Sequence, residues 1–149
     1  MKRILVFVLM LSLALSLAGM ASAEEGYKVA LVNYSVGNSW RAQMVAEFEA
    51  EAKRLQAEGV ISEYFVTNSN DDIAKEISDV EDMITKGVDA IVITAASPTA
   101  LAPVVADATA AGIKVVSFDN VVETDQQVAT VGIDEKEFGK ICADFLVEA

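Results

Sequence analysis

Short apolar segments alternate with amphipathic helical segments along most of this chain, and this alternation is the feature that most restricts its fold. Five segments are predicted to be β-strands: Lys28–Asn33, Ile61–Thr67, Ala90–Thr94, Lys114–Phe118 and Val128–Val131. Helical patterns separate the first four, as expected for parallel strands joined by crossover helices. Because such crossovers are right-handed, we predict an α/β fold with a doubly wound parallel sheet in the strand order 2-1-3-4-5.

The three helices between the strands are predicted from apolar residues that recur at three- and four-residue intervals. These residues are Val45, Phe48, Ala52 and Leu55 in the first helix, Ile73, Ile77, Val80 and Ile84 in the second, and Leu101, Val104, Val105 and Ala108 in the third. Gly59, Gly87 and Gly112 follow the helices as C-caps, and Ser97-Pro98 indicates an N-cap with a first-turn proline. Acidic side chains on the helices, Glu76 among them, are expected to be solvated.

The first 23 residues have the organisation of a secretory signal peptide. A basic start precedes an apolar run from Ile4 to Leu17, and Ala21-Ser22-Ala23 provides a small-residue cleavage site. We predict cleavage after Ala23 and a periplasmic location for the mature protein. Since Glu24 follows that site where a lipoprotein would have cysteine, no direct membrane anchor is expected. The apolar run is short for an uncleaved anchor, which is the lesser alternative.

Charge and missing residue types narrow the function further. The formal net charge is −12 at neutral pH and becomes −14 once the two basic residues of the signal peptide are removed. Nucleic acid and anionic membranes repel so acidic a protein. The chain has no histidine, the commonest general base and metal ligand. Cys142 is the sole cysteine, and its helical spacing from Phe138, Ile141 and Phe145 predicts a thiol buried in a core.

Polar and aromatic residues follow the predicted strands and meet at one edge of the sheet. In a parallel sheet these loops share the carboxyl edge, where open α/β sheets bind ligands. The residues placed there are Tyr34, Ser35, Asn38, Trp40 and Arg41 after the first strand, Asn68 and Asn70 after the second, Thr94 at the end of the third, and Asp119 and Asn120 after the fourth. An aromatic ring covers the apolar face of a sugar, and a carboxylate accepts hydrogen bonds from neighbouring hydroxyls. The pattern predicts a site for a small polar molecule.

Each of these residues also has a plain structural interpretation. Trp40 at the start of the first helix is alternatively part of that helix's core stripe. Asp119 alternatively forms an Asx turn with Asn120, and Arg41 alternatively pairs with the nearby Glu47. The stretch 68–72 has part of a calcium-loop pattern but lacks its central glycine and final glutamate, so no metal site is predicted.

Four stretches taken together resemble the ribose-binding-like (type I) periplasmic sugar-binding proteins of ABC transporters. They are YSVGNSWR, TNSNDDIAKEISDVEDMITKGVDAIVIT, AAGIKVVSFDN and VGIDEKEFGKICADFL, and the likeness extends over essentially the whole mature chain. The resemblance implies that Ser35, Asn38 and Trp40 contact a sugar. It also implies that Asp119, at the end of the fourth strand, bonds sugar hydroxyls.

The chain departs from the ribose binders at two of these positions. They usually have arginine after the aspartate and often asparagine at the end of the third strand, whereas this chain has Asn120 and Thr94. Arg41 is expected to take over part of the missing arginine's role. The resemblance therefore implies a monosaccharide or similar polyhydroxylated ligand without implying ribose.

The resemblance also implies a second lobe that closes over the sugar about a hinge. We expect residues 24–132 to form the N-terminal ligand-binding lobe, with the hinge at Asp134. Residues 133–149 are then the first crossing and the start of a second lobe that is otherwise missing. As a truncated sequence, the chain is expected to have a poorly supported C-terminal helix and weak or no sugar binding. The full-length protein is expected to be a monomer.

An enzyme is the first competing interpretation, and the chain lacks the motifs that would favour one. It has no GxSxG, no GxxxxGK[ST] and no GxGxxG after the first strand, so no nucleophile, phosphate loop or dinucleotide fingerprint is predicted, and no cofactor. Among binding proteins, we expect delivery of the sugar to a membrane ABC permease. The alternative is a ligand-binding partner for a chemoreceptor or sensor, including one for a sugar-like autoinducer.

Overall fold

The computed structural model describes residues 26–148. The predicted signal peptide, with its cleavage site after Ala23, lies outside the described residues. Between residues 26 and 148 the elements are β1 (Tyr27–Asn33), α1 (Ser39–Ala57), β2 (Ile61–Asn68), α2 (Ile73–Lys86), β3 (Ala90–Thr94), α3 (Ala102–Ala110), β4 (Lys114–Phe118), β5 (Ala129–Val131) and α4 (Glu135–Glu148). No helix in this range combines the length and the apolar character needed to cross a bilayer.

The strands form one parallel sheet in the order β2-β1-β3-β4-β5. This arrangement confirms the predicted α/β fold class and strand order. The predicted strand bounds hold to within one residue: β1 gains Tyr27, β2 gains Asn68 and β5 loses Val128. Alternation of strand and helix was sufficient for this prediction because right-handed crossovers leave few ways to order five parallel strands.

The strand register brings the carboxyl ends of the strands to one edge. Asn33, the last residue of β1, lies beside Asn68 of β2 on one side and Thr94 of β3 on the other. Phe118, the last residue of β4, pairs with Val131 of β5. The loops that follow β1, β2, β3 and β4 therefore leave the sheet side by side, as the sequence predicts.

The main core lies between the sheet and the helices α2 and α3. Ile91 and Ile93 of β3 contribute to it from the sheet, and the helical side adds Val80 and Val105, each no more than 1% exposed. Helix α1 packs on the opposite face, where Ala52 is buried. No residue of β3 is exposed: one face is buried and the other is at least partly covered, which agrees with its nearly uninterrupted apolar sequence.

Glycines end the three internal helices, as predicted. Gly87 is the C-cap of α2 and has the left-handed conformation, with φ of 65°. Gly59 and Gly112, with φ of 74° and 92°, lie one residue beyond the caps of α1 and α3. Left-handed backbone is nearly free of steric cost for glycine alone, which makes it a reliable sign of a helix end.

The predicted start of α3 at Ser97-Pro98 is wrong. Turns occupy residues 98–101, and the helix begins at Ala102 with Pro103 in its first turn. The Ser97 hydroxyl does accept a hydrogen bond from the Ala100 amide, at 3.3 Å, but this bond closes a turn and not the helix. Pro98 and Pro103 are both compatible with the first turn of a helix, and the first turn of α3 contains Pro103.

Two predictions about burial are also wrong. Cys142 is exposed, because α4 has no buried residue within the described part of the chain. Phe138 and Phe145, its expected partners in a core, are 56% and 72% exposed. Glu76, which was expected on a solvated face, is completely buried. The weak support of α4 agrees with the expectation for a C-terminal helix.

Candidate functional site

An ion pair between the start of α1 and the end of β4 forms the centre of the site. The Nη2 atom of Arg41 lies 2.7 Å from Oδ2 of Asp119. The Arg41 side chain is 8% exposed and that of Asp119 is 35% exposed. The alternative pairing of Arg41 with Glu47 is therefore wrong. The preferred partner is 78 positions away in sequence and is brought close by the strand order.

Tyr34, the first residue after β1, connects this ion pair to the loop after β4. Its hydroxyl oxygen accepts hydrogen bonds from Nη2 of Arg41 and from Nδ2 of Asn120, the latter at 2.9 Å. The guanidinium carbon of Arg41 lies 4.0 Å from the centre of the Tyr34 ring. Since the hydroxyl oxygen accepts both bonds, its proton is left to donate. Sequence reasoning placed Tyr34 at this edge but missed its bridging role.

The carboxylate of Asp119 has one oxygen engaged and one available. Oδ2 accepts from Arg41 and, at 3.4 Å, from the hydroxyl of Thr94. Oδ1 accepts no hydrogen bond from residues 26–148, and no Asx turn with Asn120 forms. The backbone of Asp119 is left-handed, with φ of 55°, a conformation that costs a non-glycine residue about 1 kcal/mol or more. The ion pair with Arg41 orients the Asp119 side chain and leaves Oδ1 for an external donor.

A groove of about 820 Å³ opens beside Asp119. Trp40 lines one side and is 54% exposed, so the alternative that it belongs to the core stripe of α1 is wrong. Its ring centre lies 5.5 Å from the Arg41 guanidinium. Phe118, which the strand pattern would bury, is only partly buried and also lines the groove. An exposed indole next to an available carboxylate oxygen suits a ligand with both apolar and hydroxyl faces.

The other wall of the groove comes from β5 and the segment that follows it. Sequence reasoning selected one residue of this wall, Asp134, as the hinge. The full wall consists of Thr130, Val131, Gly132, Ile133, Asp134 and Glu135. Asp134 also caps α4, since its Oδ1 accepts from the amides of Lys136 and Glu137 at 3.0 and 2.9 Å. The pairing of β5 beside β4 was a signal that this segment lies near Asp119.

Three predicted site residues have their side-chain oxygens engaged within the protein. Ser35 Oγ donates to Asp71 at 3.0 Å and accepts from the Gly37 amide at 3.2 Å, which braces the loop after β1. Asn38 is the N-cap of α1, with Oδ1 accepting from the Arg41 amide at 2.9 Å. Thr94 is fully buried and its hydroxyl bonds Asp119. These residues position the site. Asn38 is exposed, and its side-chain NH₂ group donates no hydrogen bond within residues 26–148.

The loop after β2 does not join the groove. Asn68 and Asn70 bond each other at 2.9 Å, and Asp72 caps α2 by accepting from the Lys75 amide at 3.1 Å. Within residues 26–148, no group of three or more acidic or cysteine side chains is placed to hold a metal ion. Asn68, Asn70 and Asp72 thus serve turn and cap geometry, as their type favours, while Asp71 accepts the bond from Ser35.

Comparison with known proteins agrees with this geometry. The family model described as "Periplasmic binding protein domain" matches residues 29–149. The chain belongs to this family. The resemblance to ribose-binding-like periplasmic proteins inferred from sequence is thereby confirmed, and the family is one of non-enzymatic solute-binding proteins. As a periplasmic binding protein domain, the chain has its groove at the carboxyl edge of the sheet.

Individual relatives of this periplasmic binding protein domain give a consistent picture. It is 34% identical over 139 residues to the D-ribose/D-allose-binding protein of Pseudomonas aeruginosa. That alignment covers 86% of this chain and 42% of that protein. It is 27% identical over 125 residues to the ribose import binding protein of Bacillus subtilis, covering 84% of this chain and 39% of that protein. The chain thus spans about two fifths of the length of these relatives.

A solved structure shows the same arrangement of elements. The 5-methylthioribose transporter solute-binding protein of Thermotoga lettingae, in complex with 5-methylthioribose, aligns with a TM-score of 0.67 and 29% identity. The alignment covers 80% of this chain and 38% of that one. The type I periplasmic binding protein fold predicted from sequence is confirmed for the described lobe.

Proposed function

We propose that this chain is the N-terminal ligand-binding lobe of an extracytoplasmic solute-binding protein that captures a monosaccharide or similar polyhydroxylated ligand for import by an ABC transporter. The single observation that carries the proposal is that the Asp119 carboxylate is held in place with one oxygen available. Arg41 holds one of its oxygens, and the other is available at a groove lined by Trp40. A fixed acceptor beside an exposed aromatic face matches the two surfaces of a sugar.

In this proposal, binding uses groups that are already oriented. Oδ1 of Asp119 accepts a sugar hydroxyl in a charge-assisted hydrogen bond, and the Tyr34 hydroxyl donates to a second sugar oxygen. The ring of Trp40 covers the apolar face of the sugar. Because Arg41 and Thr94 restrain Asp119 before the ligand arrives, little ordering is required on binding, which favours affinity. The binding involves no covalent step.

The identity of the sugar is proposed at the level of a class. The relatives named above bind or import ribose, ribose and allose, or 5-methylthioribose. This chain has Asn120 after the aspartate, and its amide is already bonded to Tyr34. Arg41 supplies the guanidinium from α1 instead. We therefore propose a pentose-like or hexose-like ligand and begin the sugar panel with D-ribose, D-allose, D-xylose and 5-methylthioribose.

The remaining parts of the proposal concern the whole protein. Residues 1–23 direct export, with cleavage after Ala23, and the mature protein acts in the periplasm. Residues 24–132 are the binding lobe, and residues 133–149 contain the hinge crossing at Asp134 and the start of a second lobe. The exposed apolar residues of α4 support this assignment, because they are the kind of surface that a further lobe covers. After capture, a monomeric receptor presents the sugar to a membrane permease.

Calorimetry with the purified full-length protein, which includes the second lobe, and the sugar panel tests the proposal. Asp119→Ala should weaken sugar binding by roughly 10- to 100-fold, since a hydrogen bond to a charged group is lost. Trp40→Ala should weaken it by about tenfold. Asp119→Asn, which keeps an acceptor and the shape of the side chain, separates loss of binding from loss of folding. Asp107→Ala and Tyr27→Ala are matched controls, because both residues are exposed and lie away from the groove. Unchanged affinity in both Asp119→Ala and Trp40→Ala would overturn the site assignment.

A further inference from the structure

Glu76 is a buried carboxyl group that the binding mechanism above does not use. It lies on α2 beside Val80 and Met83 and is 0% exposed. Its Oε2 atom accepts a hydrogen bond of 2.8 Å from the Ala96 amide, and its Oε1 atom has no hydrogen-bond partner among residues 26–148. Glutamate is almost never fully buried unless it is paired, so this position calls for a specific role.

The hydrogen bond from Ala96 connects Glu76 to the sugar site. Ala96 lies in the loop that leaves β3, immediately after Thr94 and Ala95. The hydroxyl of Thr94 bonds Asp119 at 3.4 Å, and the amide of Ala95 bonds the carbonyl of Asn120 at 2.9 Å. Glu76 therefore holds the loop after β3 at Ala96, and the two residues before Ala96 hold the loop after β4. A shift of Ala96 would be transmitted to the residues that position Asp119.

Charged groups from two helices face Glu76. Asp79, on α2, opposes its ionisation, whereas Arg41, from α1, favours it. Burial has the largest effect and raises the pKa of Glu76 to about 7, against the lowering effect of the Ala96 hydrogen bond. Arg41 is the same guanidinium that holds Asp119. Both protonation states of Glu76 are thus populated near neutral pH, within reach of the site's own ion pair.

We propose that Glu76 is a positioning residue of the sugar site, holding the loop after β3 through Ala96, and that its ionised form favours ligand binding. This inference rests on the proposed function. The physical reason is that a carboxylate accepts a stronger hydrogen bond from the Ala96 amide than a neutral carboxyl group does. Ionised Glu76 also adds a second negative charge near Arg41, which fixes the guanidinium beside Asp119. Protonation loosens both connections.

The test is the pH dependence of affinity for the tightest-binding of the four panel sugars, followed by the fluorescence of Trp40, the chain's sole tryptophan. Between pH 8 and pH 5.5 the dissociation constant should rise about fivefold in the parent protein. Glu76→Gln, which cannot ionise, should show a constant affinity close to that of the parent at pH 5.5. Glu81→Gln, on the exposed face of the same helix, should retain the parent profile. The chain has no histidine to produce such a profile instead.

A second measurement keeps this inference separate from the proposed function. The amide resonance of Ala96, followed by ¹⁵N NMR without sugar, should titrate near pH 7 in the parent and lose that titration in Glu76→Gln. If sugar binds but Glu76→Gln keeps the parent pH profile, Glu76 is not a positioning residue although the function stands. If no panel sugar binds to the full-length protein, the proposed function fails. An Ala96 resonance that does not titrate overturns the role of Glu76 as well.

Discussion

Helices α2 and α4 are both 14 residues long, yet the protein uses them differently. Each begins after an aspartate that accepts hydrogen bonds from the first-turn amides, Asp72 in α2 and Asp134 in α4. Each also carries a lysine and an aspartate paired at i and i+4. Helix α2 nevertheless buries Val80 and Met83, whereas α4 buries none of its residues among those described.

The comparison separates what forms a helix from what stabilises a fold. A cap typically contributes about 1 kcal/mol and an i,i+4 pair about 0.5 kcal/mol or less, and both depend on local sequence. Packing of an apolar face provides most of the stability of a helix in a protein, and it depends on what lies opposite. The two helices share the cap and the i,i+4 pair and differ in the packing of an apolar face. Matched substitutions in the two helices should therefore have unequal effects on the free energy of unfolding.

The largest difference is expected for apolar truncation. Met83→Ala in α2 should lower the free energy of unfolding by about 3 kcal/mol, because Met83 is 2% exposed and truncation leaves a cavity. Phe145→Ala in α4 should change it by less than about 0.5 kcal/mol, because Phe145 is 72% exposed. Urea denaturation followed by circular dichroism measures both. Equal losses in the two variants would mean that α4 packs as firmly as α2.

The next largest difference is expected for acidic residues near the two helix N-termini, Glu76 in α2 and Glu137 in α4. The pKa of Glu76 is about 7 in the folded state and 4.5 at its ordinary value. Between these pH values the folded state binds more protons, so the free energy of unfolding falls as pH rises through this window and stays lowered above it. Glu76→Gln avoids that loss and should be more stable than the parent by up to about 3 kcal/mol at pH 8.

The same pH range provides a control and defines the result that would contradict this prediction. At pH 4.5 Glu76→Gln and the parent should unfold at nearly the same urea concentration, since Glu76 is neutral in the folded protein there. Glu137→Gln, on exposed α4, should differ from the parent by less than about 0.5 kcal/mol at either pH. If Glu76→Gln were instead less stable than the parent at pH 8, ionised Glu76 would stabilise the fold and our account of its burial would be wrong.

Helix α2 also illustrates where sequence analysis succeeded and where it failed. The pattern predicted the helix and its C-cap, but the predicted stripe of Ile73, Ile77, Val80 and Ile84 is not the most buried one. The buried residues are Glu76, Val80 and Met83, at spacings of four and three. That second stripe was equally regular in sequence. Sequence analysis overlooks it because a glutamate occupies it, and the hydrogen bond that this glutamate accepts from the Ala96 amide depends on a distant loop.

The candidate site was predicted in its location but not in its pairing. Strand order follows from local alternation and right-handed crossovers, so the sequence was enough to gather Tyr34, Arg41, Asp119 and Asn120 at one edge. Which of them bond each other depends on side-chain geometry across separate loops. Sequence reasoning therefore weighed the nearby Glu47 as the partner of Arg41, while the fold supplies Asp119.

A smaller difference is expected for the two helix caps. Asp72→Ala should lower the free energy of unfolding by about 1 kcal/mol, since α2 is part of the cooperative core. Asp134→Ala removes two cap hydrogen bonds yet should leave the global free energy of unfolding nearly unchanged. Its effect should appear in hydrogen exchange, as faster exchange of the first-turn amides of α4. A loss near 1 kcal/mol in Asp134→Ala would show that α4 unfolds together with the core.

The smallest effect on stability, and the most direct probe of the comparison, concerns Cys142. Its thiol is exposed on α4, so Ellman's reagent should modify it in the folded 149-residue chain by itself nearly as fast as in urea. Cys142→Ser should change the free energy of unfolding by less than about 0.5 kcal/mol. Val80→Cys in a Cys142→Ser background places a thiol at the equivalent position of α2, the eighth residue of the helix, which is 1% exposed, and should be strongly protected. Protection of Cys142 itself would show that α4 is packed against other side chains, as its periodicity predicted, because a thiol is shielded only where other side chains pack over it.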